Sequence, residues 1–420
     1  MYDIDSPRSR QLLVIILGII TCLGPMAIDL YLPALPTIAR EMGEPQGRIQ
    51  LTLSAYTIGF AMGQVIFGPL SDRFGRMNVM LPGMIGYVVT NLLASMAGSA
   101  NELIAVRVLQ AMSGAAVTVC IPAMVRDMFP RQQCARVLSS ILLVMTIAPL
   151  VAPILGGQLL KLAGWQSLFL FLAFLGVLAF VLAFTCLKES LPDDRRSPMK
   201  LRDLGRTYWS VVSHRPAMSC ILAHSFFFGG MFAFISGSPF VYIELFGVSP
   251  DNYGFLFALN IIAMGICNLI NMRLMGRFEL RNLLLFGCSA ACVAGLGLLL
   301  SASIGIGGLA GVVIPCMLFV GVMSFTGPNA NALALEHFPK TAGTANAAAG
   351  VMRFGIGGVT AGLVGVLHNG TAVPMAAIMA GCGVLSLASL ILLGGYRDSG
   401  QTETMEDEVD HAPSGHQKAA

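Results

Sequence analysis

The chain has 420 residues, of which 55% are apolar and only 11% charged, and its mean hydropathy is +0.76. A soluble globular domain carries about 25% charged residues, so the composition excludes that class and points to a polytopic membrane protein. The net charge of +3 is no nucleic-acid footprint, because the basic residues gather at the ends of apolar runs, where they act as orientation signals.

Twelve runs reach membrane-spanning length. In the first half they lie near Leu12–Pro36, Ile49–Leu70, Val79–Gly98, Leu103–Val125, Val137–Leu160 and Trp165–Leu187. In the second half they lie near Ala217–Phe240, Tyr253–Met275, Asn282–Ser303, Gly307–Leu335, Thr341–Leu367 and Val373–Leu393. The runs are continuous rather than alternating, which predicts helices and excludes a closed barrel. The expected fold class is therefore an all-α membrane protein of twelve transmembrane helices joined by short turns. No small-residue cleavage site follows the first apolar core, so the first run reads as a retained span. With both termini cytoplasmic, 20 Lys and Arg fall on the cytoplasmic side and 3 (Arg40, Arg48, Lys161) on the other. That asymmetry sets the expected orientation.

The first run ends in Ile28-Asp29-Leu30-Tyr31-Leu32-Pro33-Ala34-Leu35-Pro36. A charge at the bilayer centre costs roughly 2.5–3.5 kcal/mol on the mildest scale, so an intramembrane acid usually serves a function. Proton transport is one such task, since a carboxylate can be charged or neutral within one turnover. After the second run comes Gly68-Pro69-Leu70-Ser71-Asp72-Arg73-Phe74-Gly75-Arg76. Its glycines allow a tight turn and close helix approach, and Asp72 can cap a helix or pair with a nearby Arg. The fourth run carries Arg107-Val108-Leu109-Gln110-Ala111-Met112-Ser113-Gly114. Arg107 stands six residues beyond Asn101, about 9 Å into the membrane, and Asp29 stands seven residues before Pro36. Equal depth makes contact between Asp29 and Arg107 feasible, directly or through water. A guanidinium lowers a carboxyl pKa and desolvation raises it.

The fifth run contains Ala148-Pro149-Leu150-Val151-Ala152-Pro153-Ile154-Leu155-Gly156-Gly157. Pro149 and Pro153 each remove a backbone hydrogen bond and bend the helix, while Gly156 and Gly157 admit another helix closely. The longest polar stretch, 188–216, follows the sixth run and divides the chain into a six-span bundle over 1–187 and another over 217–396, leaving a polar tail over 397–420. That tail is acidic around 403–410, and no function is assigned to it. The halves echo one another: Phe129-Pro130-Arg131 matches Phe338-Pro339-Lys340, and Ala61-Met62-Gly63 matches Ala263-Met264-Gly265. A duplicated six-span unit implies a substrate site between the halves and rocking of one against the other.

The seventh run holds His224, which titrates near neutral pH when free, and an aromatic crowd of Phe226, Phe227, Phe228, Met231, Phe232 and Phe234. Adjacent residues cannot all face one cavity, so part of that crowd is packing. In the eleventh run, Met352-Arg353-Phe354-Gly355-Ile356-Gly357-Gly358 places Arg353 about 18 Å from Thr341, with no intramembrane acid in its half to pair with. A cavity-facing arginine that contacts substrate or gates the pathway is the functional expectation. The ten cysteines lie mostly inside spans and read as small apolar packing residues. No phosphate-cradling motif, metal-ligand cluster or nucleophile–base constellation stands out, so neither a direct ATPase, a cofactor nor an enzyme is expected.

The 68–76 loop resembles the major facilitator superfamily signature G-x-L-[SA]-D-R-x-G-R-[KR], with Met77 in place of the final basic residue. The Arg107 segment resembles that family's R-x-x-Q-G-x-G, with Ala111 and Ser113 replacing glycines. The fifth span resembles the antiporter motif G-x-x-x-G-P-x-x-G-G, with Ala152 for the glycine before the proline. Together with Asp29–Pro36 and Phe354–Gly357 the set is similar to the bicyclomycin- and chloramphenicol-resistance subfamily of drug:proton antiporters, over nearly the whole chain but the tail. The resemblance implies two pseudo-symmetric six-helix bundles in a bacterial inner membrane, working as a monomer. It implies export of small amphipathic compounds against inward protons, with a sugar, amino-acid or metabolite exporter as the alternative. Asp29 and Arg107 would couple the proton. Gly68, Asp72, Arg73, Gly75 and Arg76 would form the conformational switch loop, and Tyr31, Gln110 and Arg353 would line the substrate cavity.

Overall fold

The computed structural model describes residues 7–196, 205, 209–338 and 342–393. Lys200, Arg202, Arg206, Lys340, Arg397, Lys418 and the acidic 403–410 segment lie outside these described residues. Among the described residues, twelve apolar helices cross the molecule, here numbered spans 1 to 12. The first six are Gln11–Met42, Gln46–Phe74, Arg76–Ser95, Ala100–Met128, Arg136–Ala163 and Gln166–Cys186. The second six are Arg215–Leu245, Pro250–Leu274, Leu280–Ile304, Gly308–Glu336, Ala345–Val366 and Val373–Leu393. No strand occurs among the described residues. An even number of antiparallel crossings puts both chain ends on one face, the termini face; the opposite one is the far face.

Every expected run is a helix, and the two largest discrepancies share one cause. The sequence reading ended span 1 at Pro36, but the span runs on to Met42. Pro33 lies within a single 3-10 turn, Leu32–Ala34, and Pro36 lies in the first turn of the segment Leu35–Met42. In a first turn the missing N–H has no helical partner to lose. Gly43, left-handed at φ 64°, then closes the helix. Span 7 likewise outruns its expected end at Phe240, because Pro239 opens into a π turn over Phe240–Leu245.

Within each half the helices pack as a bundle, with span 2 along span 4 in the first and span 7 along spans 11 and 12 in the second. The halves meet along two helix pairs, span 2 with span 11 and span 5 with span 8. Small residues permit both approaches. Ser54 Oγ donates to the Gly358 carbonyl at 2.6 Å, and a methyl at Gly254 would come 2.6 Å from the Ile154 backbone nitrogen. Toward the far face the seam is sealed by backbone. Gly47 lies against the Gly365 carbonyl, and Gln50 Nε2 donates to the Ser236 carbonyl at 3.1 Å. Large apolar side chains such as Leu143, Phe174, Val293 and Leu392 face outward, as lipid contact requires.

Candidate functional site

Span 1 breaks where its acid sits. The helix Leu23–Asp29 ends at the carboxylate, Leu30 and Tyr31 form the link, and the 3-10 turn follows. With the span reaching Met42, Asp29 is 13 residues inside it, about 20 Å along a helix. The sequence reading put Asp29 toward the outer end, so its depth is corrected to the middle. Asp29 is only 5% exposed. It is the one Asp or Glu among the described residues to stand in mid-span; all others lie near helix ends or in loops.

Arg107 is fully buried and belongs to a cage built by the first half. Its guanidinium lies over the Tyr56 ring at 4.3 Å and the Tyr31 ring at 4.8 Å, and cation–π contact of this kind strengthens when desolvated. Arg107 Nη1 donates to Gln110 Oε1 at 2.7 Å and to the Ala27 carbonyl at 3.0 Å. Gln110 Nε2 in turn donates to Asn91 Oδ1 at 2.7 Å, and Asn91 Nδ2 donates to the Tyr87 carbonyl at 2.7 Å. Tyr87 Oη donates to the Leu23 carbonyl at 3.0 Å. The Tyr31 hydroxyl meets Thr52 Oγ1 at 3.1 Å. Arg107 Nε and Nη2 remain buried without a partner.

Asp29 and Arg107 therefore share a level but form no ion pair here, since none of the ion pairs within 4.0 Å includes either residue. The arginine reaches the carbonyl two residues before the acid instead. Tyr56 of the first half and Tyr253 of the second both lie within electrostatic reach of Asp29. Of the expected cavity residues, Tyr31 and Gln110 are thus walls of the arginine cage.

The glycine pair of span 5 ties this acid to the seam. A side chain at Gly156 would strike the Leu30 carbonyl, directly after Asp29. One residue on, a methyl at Gly157 would come 2.6 Å from the Pro250 carbonyl of span 8. Adjacent glycines thus touch the turn behind the acid and the opposite half. Pro149 and Pro153 lie inside one continuous helix, Arg131–Ala163.

On the termini face, the switch loop shrinks to Gly75, whose φ of 100° separates spans 2 and 3. Gly68 has open space around it, so the close approach expected of both glycines belongs to Gly75 alone. Arg76 is buried, pairs with Asp72, and pairs with Asp127 of span 4 at 3.0 Å. Glu189, just past span 6, accepts from the backbone nitrogens of Arg76 at 2.9 Å and Met77 at 3.0 Å, as a carboxylate at a helix N-terminus should. Arg73 only covers the Phe74 ring, at 5.1 Å. All of these contacts stay within the first half and the start of the central loop.

The second half places Arg353 beside His224. Both line a pocket of about 10 Å³, and both keep a buried nitrogen without a partner, Arg353 Nε and His224 Nδ1. The aromatic crowd divides in two. Phe227 stacks on Phe319 at 5.1 Å and Phe234 on Phe257 at 5.8 Å, as packing. Phe228 and Phe232 join Phe354, which meets Phe60 of the first half at 4.6 Å. Sequence reasoning missed Tyr56, Tyr87, Asn91, Tyr253 and Glu189; Asn91, a lone amide in an apolar run, was the available signal.

The Major Facilitator Superfamily profile matches residues 17–362. The chain belongs to that superfamily. Among its relatives, the Bicyclomycin resistance protein homolog of Haemophilus influenzae is 33% identical over 93% of this chain and 98% of its own. The Chloramphenicol resistance protein of Pseudomonas aeruginosa is 30% identical over 84% of this chain and 83% of its own. A crystal structure of a D-xylose-proton symporter superposes with a TM-score of 0.71 at 13% identity, over 90% of this chain and 96% of that one. This last likeness concerns the fold alone: two pseudo-symmetric bundles of six helices. Within the superfamily, the chain groups with the bicyclomycin- and chloramphenicol-resistance proteins.

Proposed function

We propose that this major facilitator is a drug:proton antiporter, exporting small amphipathic compounds such as bicyclomycin- or chloramphenicol-like antibiotics by alternating access. It acts as a monomer in a bacterial inner membrane with its termini face cytoplasmic, and catalyses no chemical conversion. The moving bodies are 1–187 and 217–396, linked by the central loop 188–216. The names of its relatives support the substrate class. The observation that carries the coupling is Asp29: the one mid-span carboxylate among the described residues, on the helix whose Ala27 carbonyl accepts from Arg107, a guanidinium with two unpartnered nitrogens.

A carboxylate so buried is costly as an anion without a cation partner. Deprotonated, Asp29 is drawn to the free Nε and Nη2 of Arg107; protonated, it releases them to the tyrosine cage. The exchange displaces the Leu30–Tyr31 link. Gly156 lies on that link and Gly157 on span 8, so the displacement reaches the opposite half through one rigid helix. Arg353 and the Phe60–Phe354 cluster face the second half's share of the pathway, where substrate binds. Each proton entering down 100 mV contributes about 2.3 kcal/mol, and each pH unit about 1.4 kcal/mol. Together these sustain a neutral-substrate gradient of a few hundredfold per proton.

The test is chloramphenicol-driven proton release from proteoliposomes, comparing the native protein with Asp29→Asn. Uphill export and proton exchange should vanish in the variant while downhill substrate exchange persists. Unchanged proton exchange in Asp29→Asn removes Asp29 as the carrier.

A further inference from the structure

The far face carries a cavity of about 420 Å³ between the halves, outside the backbone seal. Its walls include Gln46 and Gln50 from span 2, Phe240 and Glu244 from the end of span 7, His368 before span 12, and Met375 on span 12. That volume suits a drug-sized molecule.

Three features specify what would fill it. Gln50 is fully buried; its amide nitrogen is used on Ser236, but its Oε1 has no donor. A buried acceptor left unmet costs about 1–3 kcal/mol, and this one belongs to the cavity wall. Glu244 is the only carboxylate among the lining residues, and no Lys or Arg stands among them. Its Oε2 accepts from Gln46 Nε2 of the other half, while its Oε1 accepts from no described residue. Finally, the Phe240 and His368 rings lie 5.6 Å apart, and Met375 supplies a polarizable wall. Burial holds the His368 imidazole below its ordinary pKa, against the opposing pull of Glu244, so no protonated ring competes for the carboxylate at neutral pH.

We propose that this cavity is a second binding site, taking an amphipathic organic ammonium whose N–H groups meet Glu244 and Gln50 Oε1 while its apolar body rests on Phe240 and Met375. The ring face of Phe240 adds cation–π attraction. Gln50 stands two residues from Thr52, whose hydroxyl meets Tyr31 of the arginine cage, so span 2 contributes a residue to each site. Its role as the exit-side station rests on the export reading above; the binding itself does not.

The test uses the full-length protein in lipid nanodiscs, titrated at pH 7.5 with the fluorescent ammonium dansylcadaverine and with neutral dansyl-butylamide, against empty nanodiscs. Glu244→Gln should weaken the ammonium probe about tenfold and leave the neutral one unchanged. Thr371→Trp, which narrows the mouth from an exposed position, should weaken both. Equal ammonium affinity in native and Glu244→Gln protein, or unchanged affinity for both probes in Thr371→Trp, overturns the proposal. Native protein that binds in this pattern yet exports nothing supports the second site and overturns the export reading instead.

Discussion

Arg107 in the first half and Arg353 in the second are both intramembrane cations, and the two halves house them in opposite ways. Arg107 has two rings, two hydrogen bonds and a relay of amides running back to span 3. Arg353 shares a pocket barely large enough for a water with a histidine, and each leaves a nitrogen unmet. Among the described residues, only the first half holds a mid-span acid. The same fold, used twice, has become a rigid electrostatic unit on one side and a sparsely bonded, aromatic one on the other. Coupling needs a charge that is held firmly until a proton arrives, and broad substrate tolerance needs a wall that repacks.

The comparison breaks most severely at Gly156. Alanine there drives a methyl into the Leu30 carbonyl behind Asp29, a backbone clash that must shift the turn. Export in proteoliposomes should fall to background. Gly355→Ala in span 11, where the space is open, should retain export. Normal export by Gly156→Ala would mean that the turn behind the acid does not relay motion to span 5.

Next come the arginines themselves. Arg107→Leu strands Gln110 Oε1 and the Ala27 carbonyl inside the membrane and should cost roughly 2–4 kcal/mol, read as a fall in Tm in detergent. Arg353→Leu removes a cation already short of partners, so stability should change by less than about 1 kcal/mol, or rise. What should change is the ranking of exported compounds. Equal destabilisation by the two substitutions would erase the distinction between the halves.

These contrasts also mark how far the sequence could be read. The twelve spans and the fold of two six-helix bundles were legible, because apolar length is a local signal. The depth of Asp29 was not. Pro33 and Pro36 resemble a stop, yet both fall in first turns, where proline is tolerated. Equal depth suggested an Asp29–Arg107 pair, whereas Arg107 settles between Tyr31 and Tyr56, residues 76 and 51 positions away in the chain. Ring faces and orphaned nitrogens are set by tertiary packing, which no spacing rule records. The Arg353–His224 pocket was invisible for the same reason, being a meeting of spans 7 and 11.

The repeat offers a smaller test. Gly63 and Gly265 occupy matching Ala-Met-Gly tripeptides, but a methyl at Gly63 would sit 2.6 Å from the Ala115 side chain, and one at Gly265 would meet nothing. Gly63→Ala should therefore destabilise by about 1–3 kcal/mol through overpacking, with Gly265→Ala within about 0.5 kcal/mol of native. Thermal unfolding of the two variants side by side decides it. Matching losses would show that the second bundle is packed as tightly as the first.

The smallest effect is expected at the rim of the second half. Burial holds His368 below its ordinary pKa, partly offset by Glu244, so the folded protein binds its proton less readily than the unfolded chain. Above about pH 7 the ring is neutral in both states and contributes no pH dependence. As pH falls below the unfolded value near 6.5, the unfolded chain takes the proton first and stability declines until the folded pKa is passed. His368→Gln should flatten that part of the Tm profile between about pH 7 and 5 and leave Tm at pH 8 unchanged. The change in slope should be small, because the ring is only half buried and lies in the loop before span 12. An identical acid slope in native and His368→Gln protein would place the acid sensitivity elsewhere.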